Sequence, residues 1–344
     1  MSKKILILGS IPEPVGGVTI HVYHLATRLH LQGFDVTVGD INRKGNKYKH
    51  SFRLLYNPFK ILWLARKMDI VHVHVSGLSF MNGLFALVIP VKNGFWTVHS
   101  GNFHRSIKER PTALRLFKKL LKKYKNVVCL NEDIYTLLTA SCGVDSENIL
   151  QCKSYIAAPN QPLVGEKQAG LPQEIRCITS GYMVENYGYE HIIGAMGILN
   201  KEGIKITLTI CHYGTTNPGY FEVVKQASES SSAEIIFKKR LNHQAFLNEL
   251  EASHFYIRNT EHDAFGVALA EAVCSGTIPL ATDVCERAEG SVLYTSRDDE
   301  SIAEVVRFAI NDYTNLSQKC RDAQKVLDKN YPLIVEAYSR SLQD

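Results

Sequence analysis

The stretch "HFYIRNTEHDAFGVALAEAVCSGTIPLAT", residues 254–282, has the pattern of a strand, a loop, a helix and a second strand. "HFYIRN" and "TIPLAT" are short apolar runs of strand length. Between them, "GVALAEAVCS" is rich in small and apolar residues and is followed by Gly276, a residue type that commonly ends helices. This order predicts one unit of a parallel sheet, because parallel strands require a crossover connection.

The same alternation runs along the whole chain and is interrupted once, by the Pro- and Gly-rich stretch at 157–172. We therefore predict an α/β protein with two doubly wound, Rossmann-like domains, 1–160 and 161–330, and a C-terminal helix at 331–344 that packs back toward the first domain. Such sheets bind ligands outside the carboxyl ends of their strands. The predicted strands are 3–9, 34–41, 69–75, 94–99 and 126–131 in the first domain, and 175–181, 204–212, 233–238, 254–259 and 277–282 in the second.

Composition narrows the functional class. The 344 residues suit two domains, and no apolar run approaches the ~18 residues of a membrane-spanning helix. The apolar run near the N-terminus is too short for a signal peptide, so we expect a cytoplasmic protein. Its eight cysteines are scattered without a C-x-x-C pair, which favours reduced, structural thiols.

Charge is divided unevenly. Residues 1–160 hold 22 Lys and Arg against 9 Asp and Glu, which leaves 17 against 25 for the rest of the chain. The basic half predicts an anionic partner, although a solvated surface gives the same count. Residues 112–125 combine an apolar stripe with dense lysines, which fits either an interfacial helix on an anionic membrane or a core helix with a basic outer face. We see no nucleic-acid-binding module.

Two carboxylates mark the loop and helix of the opening stretch. Asp263 precedes the helix and Glu271 lies within it, while the backbone amides of Phe265, Gly266, Val267 and Ala268 lie at the helix N-terminus. Helix N-termini favour anions such as a diphosphate. Carboxylates would repel a phosphate, so we expect Asp263 and Glu271 to accept hydrogen bonds from a sugar and a ribose diol.

The first domain offers two further candidates. Gly16 and Gly17 precede a helix and let the backbone approach a phosphate or sugar oxygen, or serve only loop flexibility. His99 follows a strand and is a candidate for hydrogen bonds to sugar hydroxyls, or is a structural histidine. His72 and His74 share one strand face, but no third ligand has a recognisable spacing, so we expect no metal site.

With these motifs in view, the chain resembles the family 4 retaining glycosyltransferases, which have a GT-B fold, two Rossmann-like domains facing across a cleft. The segments that carry the resemblance are "GGVTIHVYHLATRLHLQGFDVTV", "DIVHVH", "WTVHSG" and "DAFGVALAEAVCSGTIPLAT". It implies a nucleotide-sugar donor and no catalytic metal or other cofactor. It also implies that Asp263 and His99 contact the donor sugar, residues 265–268 the diphosphate, and Glu271 the ribose.

The chain departs from that family in "SGYMVENYGYEH", where Tyr182 and Tyr187 stand at the positions of an Arg and a Lys that neutralise the diphosphate. Lys239 and Arg240, after a neighbouring strand, are candidates to replace that charge. Asp263 itself stands where the family usually has Glu.

Three functions therefore remain open. The first is a retaining hexosyltransferase, cytoplasmic and peripheral to the membrane, that moves a sugar to a lipid-linked or surface saccharide. The second is a catalytically silent GT-B homologue that binds a saccharide or stabilises a partner. The third is another GT-B enzyme, such as a sugar-nucleotide epimerase.

Overall fold

The computed structural model describes residues 2–12, 16–40, 51–53, 58–75, 80–99, 111–153, 155–157, 173–263, 265–327 and 330–343. The chain forms two compact units. The N-terminal unit comprises Met1–Asn160 and Asp328–Asp344, and the C-terminal unit comprises Gln161–Leu327. The predicted linker lies almost entirely outside the described residues.

The N-terminal unit contains a parallel sheet of seven described strands in the order β3-β2-β1-β4-β5-β6-β7. The structure adds β3 and β7 to the predicted strands, and at three residues each they are too short to give a periodic signal. The strands are β1 Lys4–Gly9, β2 Asp35–Asp40, β3 Ser51–Arg53, β4 Ile70–Val75, β5 Asn93–Val98, β6 Asn126–Cys129 and β7 Ile149–Gln151. The helices are α1 Gly17–Leu31, α2 Pro58–Ala65, α3 Phe80–Val88, α4 Pro111–Tyr124, α5 Glu132–Thr136 and, returning at the end of the chain, α12 Asn330–Ser341.

The C-terminal unit contains a second parallel sheet, in the order β10-β9-β8-β11-β12-β13. The described strands follow the predicted ones within a few residues, with β13 added. They are β8 Ile175–Met183, β9 Ile206–Thr216, β10 Glu234–Lys239, β11 Phe255–Arg258, β12 Ile278–Thr282 and β13 Val292–Tyr294. The helices are α6 Tyr189–Lys201, α7 Pro218–Ser230, α8 His243–Ala252, α9 Val267–Cys274, α10 Asp299–Asn311 and α11 Tyr313–Leu327.

Both faces of β1 are buried, which explains its apolar run at residues 5–8. Leu6 and Leu8 pack into one apolar cluster, whereas Ile5 and Ile7 pack into another. Successive side chains of a strand point to opposite faces, so a strand that is covered on both sides favours apolar residues on both.

Strand order reverses once in each sheet. The chain moves outward from β1 through β2 to β3, and then starts again on the other side with β4. In the second sheet the same reversal lies between β8 and β11. A crevice opens at such a switch point because the adjacent crossovers go in opposite directions, and ligands bind there at the carboxyl ends of the strands.

The structure corrects the membrane-helix interpretation of residues 112–125. Phe117, Leu120 and Tyr124, from the apolar stripe of α4, are fully buried in the core of the N-terminal unit. This stripe therefore cannot insert into a bilayer, and the alternative of a core helix with a basic outer face is correct. No helix of the described ranges has the length and apolarity needed to cross a membrane.

Helix α12 is fastened to the first sheet by polar contacts as well as apolar packing. The Tyr338 hydroxyl lies 2.5 Å from His72 Nδ1, and Tyr331 donates to Gln32 Oε1 at 2.7 Å. Both tyrosines are buried among residues of the first sheet and α1. The end of the chain therefore completes the N-terminal unit.

Candidate active site

Asp263 follows β11 at the switch point of the second sheet and forms two buried ion pairs. Its Oδ2 accepts from Arg258 Nε at 2.5 Å and from Arg287 Nη1 at 2.6 Å. The side chains are only 12%, 10% and 2% exposed for Asp263, Arg258 and Arg287. We call this group the Arg–Asp–Arg cluster.

The pKa of Asp263 reflects two opposed effects. Burial by itself raises the pKa, because it penalises the charged carboxylate. The charges and hydrogen bonds of Arg258 and Arg287 outweigh burial and hold the pKa of Asp263 well below its usual range. Such a carboxylate remains ionised and is a poor proton acceptor, and it holds the two guanidinium groups in place.

Arg258 lies directly beside the N-terminus of α9. Gly266 caps that helix with a left-handed backbone, φ 76°, and a side chain there would come within 2.8 Å of Arg258 Nε. Both the left-handed backbone and the lack of space for a side chain favour glycine at this position. The guanidinium group and the first amides of α9 therefore form one electropositive site, which includes the predicted amides of Gly266, Val267 and Ala268. Phe265, the residue before Gly266, is buried.

Tyr187 and Tyr182, from the segment "SGYMVENYGYEH", lie near Arg258. Its guanidinium carbon is 5.6 Å from the centre of the Tyr187 ring, at the range of a cation–π contact. Tyr187 covers Gly181, where a Cβ would come within 1.9 Å of the ring. Tyr182 is 42% exposed and lies 6.3 Å from Tyr187, centre to centre. A cation therefore lies near these tyrosines, but it is the guanidinium group of Arg258 in β11 and not a residue of their own segment.

Glu271 is buried in α9 and is held by a histidine. Its Oε1 lies 2.7 Å from Nε2 of His243, the first residue of α8, and the Glu271 side chain is 7% exposed. Burial lowers the pKa of His243, but the hydrogen bond and charge of Glu271 together raise it above its ordinary value. The pair presents a fixed carboxylate near the electropositive end of α9.

Lys239 and Arg240 lie at the end of β10, two strands away from β8. Both are exposed, and their charges lower the pKa of His212, after the larger effect of burial. Neighbouring Lys238 is paired with Glu249 at 2.5 Å. The positive charges of Lys239 and Arg240 are thus close to β9. Arg258 and Arg287 instead lie beside Asp263, after β11.

In the N-terminal unit, the predicted residues gather at the switch point between β1 and β4. Gly16 caps α1 in an extended conformation, and Gly17 is the first residue of that helix.

His99 follows β5, and its Nε2 lies 3.0 Å from His74 Nδ1. His21 of α1 packs edge-on to His99 with ring centres 4.8 Å apart. Among the described residues, His21, His74 and His99 are the group able to hold a metal ion. Ser100, Gly101 and Asn102, which follow His99 in the sequence, lie outside the described residues.

The sequence analysis did not identify three residues that contact Asp263 or Glu271 in the C-terminal unit: Arg258, Arg287 and His243. Arg258 did carry a signal, since a charged residue in the short apolar run "HFYIRN" is unusual unless a partner neutralises it. Arg287 and His243 carried none, because they reach Asp263 and Glu271 from 24 and 28 residues away in the chain.

Two family models match the chain in succession, one in each unit. The first is described as Glycosyltransferase Family 4 and matches residues 15–150, and the second, Glycosyl transferases group 1, matches residues 166–326. The chain is a glycosyltransferase. A search of curated proteins finds no match for the enzyme.

Solved structures resemble the enzyme over its whole length. A glycosyltransferase from Rickettsia africae is 15% identical with a TM-score of 0.72, and the match covers 100% of this chain and 99% of that one. WaaG, a glycosyltransferase involved in lipopolysaccharide biosynthesis, is 13% identical with a TM-score of 0.69, covering 97% and 98%. HepE from Anabaena, solved in complex with UDP-glucose, is 13% identical with a TM-score of 0.68, covering 99% of each chain. These likenesses show that the enzyme has the GT-B fold.

Proposed function

We propose that this enzyme transfers a sugar from a nucleotide-sugar donor to a lipid-linked or surface saccharide, with retention of the anomeric configuration. The observation that carries the proposal is the joint position of the Arg–Asp–Arg cluster and the N-terminus of α9 at the switch point of the second sheet. There a buried cation, helix amides and a buried carboxylate meet, as a sugar diphosphate requires. HepE, of the same fold, is solved with UDP-glucose.

Each part of the donor has a proposed partner. The amides at the start of α9 and the guanidinium of Arg258 bind the diphosphate, with Lys239 and Arg240 adding charge from the β10 side. Glu271, held by His243, accepts hydrogen bonds from the ribose diol. Asp263 contacts the donor sugar, and His99 binds a sugar hydroxyl at the switch point of the N-terminal sheet. Tyr182 and Tyr187 line the diphosphate side, and Gly16 and Gly17 give the acceptor or donor close access to the backbone.

The state of Asp263 favours front-face transfer over a covalent sugar intermediate. A carboxylate that is tied to two guanidinium groups and has a lowered pKa is a weak nucleophile. In the proposed step, the acceptor hydroxyl bonds to the anomeric carbon on the face from which the diphosphate departs. The bond between that carbon and the diphosphate oxygen breaks, and the hydroxyl proton passes to the departing oxygen. Arg258 and the α9 amides stabilise the charge that develops there, so we propose that transfer needs no catalytic metal or other cofactor.

A catalytically silent homologue is the second candidate, and the specific observation in its favour is Tyr182 and Tyr187 in place of two cations. Calorimetric titration with UDP, GDP and ADP and their sugars, each with and without a chelator, separates the two. We expect micromolar, chelator-insensitive binding of one nucleotide, followed by transfer in acceptor screens. Absence of binding across the panel would contradict the transferase proposal, and binding without transfer to any saccharide would favour the silent homologue.

The proposed acceptor is a saccharide at the cytoplasmic face of a membrane, where the enzyme would be peripheral. The basic N-terminal half supports this, and WaaG acts in lipopolysaccharide biosynthesis. Since the apolar stripe of α4 is buried, attraction to the membrane would come from its exposed lysines alone. Lys123 does not contribute, because its ammonium group donates to the carbonyls of Ala86 and Leu87.

Replacing Lys118, Lys119 and Lys122 by Gln should therefore weaken binding to anionic vesicles by about 100-fold, at about 1 kcal/mol for each basic residue. Vesicle co-sedimentation at low salt measures this. A matched control replaces Lys201, Lys205 and Lys225, three exposed lysines of the C-terminal unit, and should retain binding. Equal binding by the α4 variant and the control would contradict a membrane role for α4.

A further inference from the structure

A histidine cluster lies at the switch point of the N-terminal sheet. Its members come from three elements: His21 from the second turn of α1, His74 from the end of β4, and His99 from the residue after β5. One ring nitrogen of each lies within 4.8 Å of a ring nitrogen of the others. We propose that these three residues, the His21–His74–His99 cluster, form a binding site for a divalent transition-metal ion.

The spacing of the nitrogens supports this. A zinc ion bound by imidazole at about 2.0–2.1 Å in tetrahedral geometry requires nitrogens about 3.4 Å apart. The ligand nitrogens of the three residues lie within 4.8 Å of one another, so each separation has to shorten by about 1.4 Å at most.

His74 supplies the second, independent observation. Its side chain is almost fully buried, at 1% exposure, and among the residues that the structure describes its Nε2 has no hydrogen-bond partner. A buried imidazole nitrogen without a partner loses about 1–3 kcal/mol of solvation, whether it carries the proton or the lone pair. A metal ion at this position would satisfy it.

His72, on the same strand, differs from His74 because both of its ring nitrogens have hydrogen-bond partners. Its Nδ1 lies 2.5 Å from the Tyr338 hydroxyl, and its Nε2 lies 2.6 Å from Thr97 Oγ1. Both nitrogens are therefore occupied, which leaves His72 to support the cluster by packing on His74, with ring centres 4.0 Å apart.

The chemistry of the donors selects the metal. Three neutral imidazoles suit Zn²⁺, Ni²⁺, Co²⁺ or Cu²⁺, whereas Mg²⁺ and Ca²⁺ require oxygen ligands. Three protein ligands leave a fourth position for water or a substrate oxygen. The ion would belong to the N-terminal unit. A His99 nitrogen that ligates it cannot also hydrogen-bond a sugar hydroxyl, so the ligand role would replace the sugar contact proposed above for His99.

The test is titration of the untagged full chain with Zn²⁺ in a buffer that does not bind metals. We expect one tight equivalent per chain, with a zinc X-ray absorption spectrum that shows nitrogen and oxygen neighbours and no sulfur. The absence of sulfur neighbours would distinguish the histidine cluster from a site built on the eight cysteines of the chain. Burial raises the pKa of Cys129 to about 12 and of Cys142 to about 11, which disfavours the thiolate form that binds zinc.

Replacement by Asn of His21, His74 or His99 should each weaken Zn²⁺ binding more than 100-fold, since even the loss of an outer partner of a metal ligand costs about 10–100-fold. His30→Asn, at an exposed position of the same helix, is the matched control and should bind as the parent chain does. Circular dichroism shows which variants are folded, and only folded variants are scored. If none of the three folds, the absorption spectrum of the parent chain decides. No tight equivalent, sulfur ligation, or unchanged binding in a folded cluster variant would each overturn the proposal.

Discussion

Asp263→Asn is expected to lower the free energy of unfolding of the C-terminal unit by about 3–5 kcal/mol, the cost of removing one partner from a buried ion pair. The amide leaves Arg258 and Arg287 buried, at 10% and 2% exposure, without the charge that neutralises them. Chemical denaturation of the parent and variant chains measures the difference. Asp283→Asn, an exposed residue of the loop that carries Arg287, is the control and should change stability little.

The same substitution should lower the transfer rate by about 10²–10³-fold, the scale of losing one preorganised electrostatic contact, while nucleotide affinity falls less. This follows because Asp263 contacts the donor sugar in the proposed function and holds Arg258 in place, whereas Glu271 retains the nucleoside. The rate must be measured at a temperature at which the variant is folded. Unchanged transfer in a folded variant would contradict a role for Asp263 in catalysis.

The stability difference should also depend on pH in a defined direction. Asp263 has a lowered pKa in the folded chain, so its contribution is present above the unfolded pKa of about 3.9 and is lost as pH falls toward the folded value. Parent and Asn variant should therefore differ most near neutral pH and converge in acid below about pH 4. A difference that grew on acidification would have the wrong sign.

Glu271→Ala is expected to weaken nucleotide binding by about 10–100-fold. A carboxylate that accepts from a hydroxyl contributes about 1.5–3 kcal/mol, and 1.4 kcal/mol corresponds to tenfold. Calorimetric titration with the nucleotide that the parent chain binds gives the affinity. Glu222→Gln, on the exposed side of α7, is the matched control.

His243 provides an internal check on that experiment. Its pKa is raised by Glu271, so it should fall in the Glu271 variant, and an imidazole NMR titration detects the change. A lowered His243 pKa with unchanged nucleotide affinity would show that the pair was broken and that the ribose assignment is wrong.

Most of the fold was predictable because its longer elements have a local signal. The run "ILIL" at 5–8 is apolar since both faces of β1 are covered, and the helix of "GVALAEAVCS" ends at Cys274 with Gly276 in a left-handed conformation, φ 68°. The strands that pattern reading missed, β3, β7 and β13, have three residues each and thus no period to detect.

The site was only partly predictable. Asp263, Glu271 and the α9 amides could be proposed from the sequence because loop, helix start and carboxylate are adjacent in it. Their partners could not, since Arg287 and His243 are separated from them by more than twenty residues. The amphipathic pattern of α4 was ambiguous for a similar reason, as an apolar stripe looks the same whether it faces a bilayer or the core of its own unit.

By itself, then, the amino-acid sequence determined the βα alternation, the two-unit organisation it predicts, and the carboxylates and glycines at the strand ends, because these depend on residues close together in the chain. The tertiary structure alone decided which charges meet: Arg258 and Arg287 on Asp263, His243 on Glu271, and His21 beside His74 and His99. The physical reason is the strand order. In each sheet the reversal at the switch point brings together the carboxyl ends of strands that are far apart in sequence, and the Arg–Asp–Arg cluster and the histidine cluster lie there.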